Sequence, residues 1–307
     1  MTFREEILHH PTVPFEAENT FSISQILEKM ANISFQGRSL GNAWKLWKKM
    51  IETPGTIIFL GLAGAMVPAG MRKILASLIR HRFVDIVVST GANLYHDLYE
   101  TVGFSHYIAE NYVSDAHLRE LHINRVYDTY CDDQQFDFLD REIGKWAEQL
   151  VEKHPYPLST REFLYFLGEW ANSRKKEEGI LTTAYQEKVP IYCPALADSS
   201  FGIALVEHFR QKTETFQLDV LKDVYEMAQL VSVASFPSVI FIGGGTPKNF
   251  TQQAEVVANA LGKNASGYHF ALQITQDVPF WGGLSGCTFD ESTSWGKISP
   301  QAQKVML

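Results

Sequence analysis

The sequence predicts an α/β fold, a mainly parallel sheet wound in the doubly wound, Rossmann-like manner and preceded by N-terminal helices. Two strand–turn–helix units follow one another, from Thr56 to His81 and from Val84 to about Val102, and succession of that kind implies parallel strands joined by right-handed crossovers. Two later apolar runs, Ser238–Ile242 and Tyr268–Ile274, read as further buried strands. The turns that follow the strands are built from small residues, Gly61 to Gly70 in the first unit and Thr90-Gly91-Ala92 in the second. Glycine lets a ligand approach the backbone closely, and helix N-termini present N–H groups to phosphate.

Taken in order, residues 1–55 read as a helical extension. Ser22 stands three residues before Gln25, a capping-box spacing, with Phe21 and Ile26 placed to staple the helix start, and Ile23, Ile26, Leu27 and Met30 share one face. A second amphipathic stretch, Leu40 to Ile51, carries Trp44, Leu46, Trp47 and Met50 and stops at Thr53-Pro54-Gly55. Both are expected to pack on the sheet or on another subunit. Residues 56–307 form the α/β domain. Within it, 104–135 mixes Tyr, His and Asp with short apolar pairs, which suggests irregular structure and a hairpin. Gln134–Lys153 and Thr160–Arg174 read as amphipathic helices, with Arg174-Lys-Lys-Glu-Glu-Gly179 a solvated end. Val189–Leu196 reads as a strand leading to Asp198, followed by helices to about Gln211 and over Leu218–Ala234.

Composition bounds the function. The 307 residues are 45% hydrophobic, enough for a sizeable core, and carry a formal charge of −8, which argues against general nucleic-acid binding and suits cationic small molecules. The longest apolar run, Ile57 to Met71, is broken by glycines and Pro68 and falls short of the roughly 20 residues a membrane helix needs. The first residues lack a cationic start followed by an apolar core, so a cytoplasmic protein is expected. Three widely spaced cysteines (Cys131, Cys193, Cys287) make neither a disulfide framework nor a zinc pattern, and are expected as buried thiols with no metal.

Two stretches carry chemistry. Gly243-Gly244-Gly245-Thr246-Pro247-Lys248-Asn249 follows a strand directly, with Thr246 suited to cap a helix and Pro247 to open it, so the turn reads as an anion site or as an ordinary strand-to-helix turn. Thr275–Ile298 leaves the carboxyl end of a strand, where open α/β sheets bind ligands. It passes two tryptophans and the pair Asp290-Glu291 before reaching Lys297, the last residue of Ser294-Trp295-Gly296-Lys297. Lys297 is either a surface lysine on a loop or an amine whose charged form loses hydration among apolar neighbours, freeing a nucleophile for imine formation. Asp290 and Glu291 are either a solvated acidic turn or groups that hold an ammonium and move a proton. Trp295 is a packing residue or a π face for a cation, worth about 0.5–2 kcal/mol. Asp198 is placed to cap the helix starting near Ser200.

Ser294-Trp295-Gly296-Lys297, with Asp290-Glu291 and Ser285-Gly286 before it, resembles the catalytic segment of the deoxyhypusine synthase family. Gly243–Lys248 and Pro194-Ala195-Leu196-Ala197-Asp198 resemble two more of its blocks in the same order, and the likeness extends from about Thr56 to Ile298. The resemblance implies NAD held by Thr90, Gly91, Ala92, Asp198, Gly243, Gly244 and Gly245. It implies a polyamine near Ser285, Asp290, Asn249 and His96. Lys297 would take the aminobutyl fragment of the oxidised polyamine as an imine, with Glu291 as acid/base or ammonium anchor and Trp295 as the wall. The fragment would pass to a protein lysine, or to a small amine as in homospermidine synthesis, and NADH formed in the first step would be reoxidised in the last. A non-catalytic NAD or polyamine sensor is the reading from another class. Tetramers with sites at subunit contacts are implied too.

The chain also departs from that family. Asn249 stands where the family has a histidine, Ile203 and Leu284 replace two acidic residues of the polyamine tunnel, His96 replaces a glutamate, and Gly64-Ala65 replaces a Ser-Asn pair. Each lost carboxylate removes a charge-assisted bond to a cation. The family also continues past the position of Leu307 through another strand that helps close the cofactor site.

Overall fold

The computed structural model describes residues 3–16, 18, 20–210, 212 and 216–307. Among them, nine strands occur in chain order: β1 (Thr56–Leu62), β2 (Ile86–Ser89), β3 (Tyr107–Ile108), β4 (Ile123–Val126), β5 (Thr129–Asp132), β6 (Ile191–Tyr192), β7 (Phe236–Ile242), β8 (Tyr268–Ile274) and β9 (Ile298–Met306). Six form one sheet in the order β6-β2-β1-β7-β8-β9, every neighbouring pair parallel. Counting only these six along the chain, the spatial order is 3-2-1-4-5-6. The chain winds outward from β1 through β2 to β6, then returns to the other side of β1. The β1/β7 boundary is therefore the topological switch point, where such sheets open a crevice at their carboxyl ends.

Strand alternation supplies a core on each face. Ile58, Leu60 and Leu62 of β1 and Ile240 of β7 join the larger apolar cluster with the helices Phe35–Glu52, Gly91–Thr101 and Thr160–Arg174. Phe59, Val239 and Phe241 point the other way, toward the helices Val220–Val233, Gly245–Ala260 and Phe289–Ser294. The N-terminal helix Ile23–Met30 carries the expected capping box between Ser22 and Gln25. Residues 107–132 hold a small antiparallel ribbon, β3-β5-β4, containing the expected hairpin. Among the described residues no helix is long and apolar enough to cross a membrane.

Several expectations are corrected. The strand read over Val189–Leu196 is only Ile191–Tyr192, because Pro190 and Pro194 bracket it and offer no N–H to a ladder. The helix after Asp198 runs Ser200–Phe209, and its expected end at Gln211 lies outside the described residues. Its cap is Ser199, whose hydroxyl donates to the Leu196 carbonyl at 2.6 Å and bonds no helix N–H; Asp198 is exposed one residue earlier and caps nothing. Phe35–Glu52 starts five residues before the expected Leu40. The helix Ile180–Glu187 was not expected; its first N–H groups, on Ile180 and Leu181, donate to the buried carboxylate of Asp97 at 2.7 and 2.8 Å. β9 was not expected either. Its sequence alternates polar residues and includes Pro300, as an edge strand can, and a register break between Tyr268 and Phe270 absorbs the extra residues. Cys131 and Cys193 are buried, and burial pushes their thiols up to about 11 and about 12, while Cys287 is only half-buried.

Candidate active site

The turns that leave the strands meet along the carboxyl edge of the sheet. Asn93 ties the first two together: its side-chain amide donates to the Gly64 carbonyl at 2.7 Å and to Thr90 Oγ1 at 3.1 Å, while its oxygen accepts the Val67 N–H at 3.2 Å. Thr90 is the cap residue of the helix Gly91–Thr101. A side chain on Gly91 would lie 2.3 Å from Ser199 Oγ, so the Thr90–Ala92 turn abuts the Asp198–Ser199 turn that follows β6. Across the switch point, the Ala63 N–H donates to the Ile242 carbonyl at 2.9 Å, and Gly243 packs on Ala63.

The glycine turn is held from below as well as from the side. The helix opens at Gly245 with Gly244 as its cap residue, two positions before the expected Thr246 cap, and Pro247 lies in the first turn. Gly244 admits no side chain, because a Cβ there would stand 2.4 Å from Ser285 Cα. Ser285 Oγ accepts the Gly245 N–H at 3.0 Å, so this hydroxyl shares the turn with any anion that docks on it. Beneath both, the buried Gln273 of β8 donates to the carbonyls of Gly243 and Ser285, each at 2.8 Å.

Gln273 in turn receives Lys248, whose Nζ donates to Gln273 Oε1 at 2.8 Å and to the Cys287 carbonyl at 2.5 Å. Lys248 is 1% exposed and has no carboxylate in salt-bridge contact among the described residues. Burial, opposed by Cys287 and Glu291 and aided by the charge of Lys297, lowers its ammonium to about 8. The Phe289 ring lies 5.7 Å from the same nitrogen.

Ser-Trp-Gly-Lys is a helix stop. The short helix Phe289–Ser294 is capped at its start by Thr288, whose Oγ1 accepts the Glu291 N–H at 3.0 Å. At its end Gly296 takes φ +70°, its N–H bonds the Thr293 carbonyl at 3.0 Å, and the Lys297 N–H bonds the Ser292 carbonyl at 3.1 Å. This paired pattern is the Schellman motif, which calls for glycine at the left-handed position. It turns the chain directly into β9 and delivers the Lys297 side chain to the glycine-turn helix, where Nζ donates to Asn249 Oδ1 at 3.0 Å. The half-buried Lys297 also lies 5.7 Å from the ring centroid of Trp295, which is itself 66% exposed. Glu291 is exposed, and its carboxylate makes no hydrogen bond or ion pair among the described residues.

Thus Gly243–Gly245, Asn249, Ser285, Glu291, Trp295 and Lys297 fall in one neighbourhood, with Thr90, Gly91, Ala92 and Asp198 along the same sheet edge. Two expected substrate residues lie elsewhere within the chain. Asp290 turns to β9 and pairs with Lys304, one helical step away from Glu291. His96 is buried in a chain of its own: Nδ1 meets His106 Nε2 at 2.8 Å, and His106 Nδ1 meets Glu100 Oε1 at 2.6 Å. Burial, then the neighbouring His106, lower His96 to about 4, so it is neutral. Its helix follows β2, and β1 and β7 stand between that strand and β8. Lys248 and Gln273 are the residues that sequence reasoning passed over. A glutamine inside the apolar run Tyr268–Ile274 was the available signal.

Comparison with known proteins finds relatives over nearly the whole chain. The family described as deoxyhypusine synthase matches residues 25–307. The chain is 44% identical over 300 residues to "Probable deoxyhypusine synthase 2" of Methanosarcina acetivorans, covering 97% of this chain and 86% of that one. It is 34% identical to the "Deoxyhypusine synthase-like protein" of Coxiella burnetii, covering 99% and 87%. The crystal structure of an Entamoeba histolytica protein designated a deoxyhypusine synthase superposes with a TM-score of 0.64 at 14% identity, over 95% of this chain and 90% of that one, and shares the fold.

Proposed function

The chain belongs to the deoxyhypusine synthase family, a family of transferases, and from that premise we propose that it transfers an aminobutyl group from a polyamine, with NAD as a recycled cofactor and Lys297 as the covalent carrier. The observation that carries the reading is the Lys297–Asn249 contact of 3.0 Å, which sets an amine on the helix that opens from the glycine turn beside the switch point. NAD, when bound, supplies the acceptor for a hydride taken from the carbon next to an amine nitrogen. The residues present fit such a group: Gly243–Gly245 expose backbone at a helix N-terminus, and the Thr90–Ala92 and Asp198 turns extend the same edge.

The remaining steps belong to this chain's own side chains. Glu291 serves either as the base that takes the proton the donor amine must lose or as the anchor for the ammonium at the other end of the fragment. The neutral amine of Lys297 attacks the oxidised carbon, the original C–N bond breaks, and the leaving amine departs as the fragment becomes an imine on Lys297. Trp295 offers its face to the cationic end. A second amine then displaces Lys297, which is released as a free amine; the hydride held on bound NADH would return to the new imine, so that electrons would balance over the cycle.

A small-amine acceptor is favoured by one observation. Ile203 and Leu284, apolar and exposed at 61% and 50%, stand where the family's acidic residues would hold a longer polycation. Incubating the protein with NAD and candidate amines, quenching with borohydride and digesting it tests the carrier step. A reduced aminobutyl adduct on Lys297 is expected, and its absence with every amine leaves a sensor. Product analysis with and without a lysine-bearing protein acceptor then separates protein modification from small-amine synthesis.

A further inference from the structure

Two lysines converge on the first turn of the helix Gly245–Ala260. Lys297 reaches Asn249 from outside, and Lys248, the residue just before Asn249, is buried underneath. An ammonium with almost no exposure and no carboxylate in contact is costly to maintain, because its lost hydration is replaced only by neutral acceptors. Here those acceptors are chosen. Through Gln273 the Lys248 amine reaches the Gly243 and Ser285 carbonyls, and directly it grips the Cys287 carbonyl, so one side chain joins the glycine turn to both ends of the loop that leads to Lys297.

We propose that Lys248 is a positioning residue for Lys297: it pins the glycine turn to the lysine-bearing segment, and its buried charge raises the share of Lys297 that is uncharged and able to react. This rests on Lys297 being the reacting amine. The groups facing Lys248 are Cys287, Glu291 and Lys297, and the effect of Lys297 on Lys248 is repulsive. Repulsion between two ammonium groups is mutual, so a charged Lys248 disfavours charge on Lys297. Lys248 gives up its proton near pH 8, which confines the effect to lower pH. Above that, the loop remains pinned by a neutral amine that still donates hydrogen bonds, and the electrostatic assistance ends.

Trace labelling with acetic anhydride across pH 6 to 10, followed by mass spectrometry of the Lys297 peptide, measures the neutral share without requiring turnover. Relative to wild type, Lys248→Met is expected to label about threefold less at Lys297 below pH 8, with the difference closing by about pH 9.5, and Lys248→Arg to match wild type below pH 8 and to label more than wild type above it, because a guanidinium keeps its charge. Wild type alone is also informative, since its labelling should rise less steeply between pH 8 and 9 than a lone amine does. A Lys297 profile of single-amine shape in wild type, or a wild-type to Lys248→Met ratio constant with pH, overturns the proposal. An unaltered profile together with a borohydride-trapped adduct would leave the transferase reading standing. A pH-dependent ratio without any adduct would leave the coupling standing and remove the transferase reading.

Discussion

Lys297 Nζ and Asn249 Oδ1 are 3.0 Å apart, and Asn249 is the sole hydrogen-bond partner of that amine among the described residues. A donor–acceptor pair involving an ammonium is worth roughly 1.5–3 kcal/mol when broken, more than a tenfold effect. Asn249→Ala should therefore slow formation of the trapped Lys297 adduct by about tenfold or more while leaving the melting temperature within a few degrees. Wild-type trapping rates in that variant would show that the contact does not orient the amine.

Gly244 offers a harsher test. A Cβ at this position meets the Ser285 backbone at 2.4 Å, and neither the turn nor the loop can yield without breaking the Gln273 bonds to both. Gly244→Ala is expected to cost about 1–3 kcal/mol of stability, read by urea unfolding, and to abolish NAD binding measured by calorimetry. Gly283→Ala serves as the control, since nothing lies within 4 Å of a Cβ built there.

These two residues also mark what could be read in advance. β1 and β7 were legible because strands buried on both faces write continuous apolar runs, and the glycine turn announced itself by composition. The pairing of β1 with β7 was not legible, since neither strand's residues name a neighbour; it emerges only when the chain returns past its own start. β9 escaped because an edge strand tolerates Pro300, Gln301 and Gln303. Ser294–Lys297 was recognised as a motif, but its physical meaning, a Schellman stop that aims the lysine, depends on the backbone angle of Gly296. Burial of Lys248 is likewise a consequence of packing by Phe289 and Gln273, which lie 41 and 25 residues away in the chain. Asp290 and Glu291, adjacent in sequence, are separated in role because neighbouring helical positions point about 100° apart.

Glu255 should set part of the pH dependence of stability. It is buried, one carboxylate oxygen accepts the Gly267 N–H at 3.1 Å, and the other has no partner among the described residues. Burial raises this group from 4.5 to about 7, the Gly267 N–H opposing the rise. A carboxyl whose folded value lies above its unfolded one takes up a proton on folding. Its contribution is therefore full below about pH 4.5 and is lost as pH rises through about 7. The loss is on the order of 3 kcal/mol. Glu255→Gln removes the titration, so its unfolding free energy should gain on wild type between pH 5 and 8, and parallel curves would show that Glu255 does not titrate in this window.

Restoring a carboxylate at Leu284 probes how the site meets its cation. Leu284 is half exposed and sits in the loop that packs on the glycine turn, so Leu284→Asp removes little buried apolar surface and should leave folding intact. Its new charge would stand next to Ser285 and on the same loop as Glu291, adding one anchoring point for an ammonium. A charge-assisted bond of roughly 1.5–3 kcal/mol predicts spermidine binding tightened about tenfold in low salt, with the gain shrinking as ionic strength rises. A shorter diamine, whose single free ammonium Glu291 already serves, should gain less. Equal gains for both amines would place position 284 outside the path of the longer polycation and would weaken the small-amine reading drawn from Ile203 and Leu284.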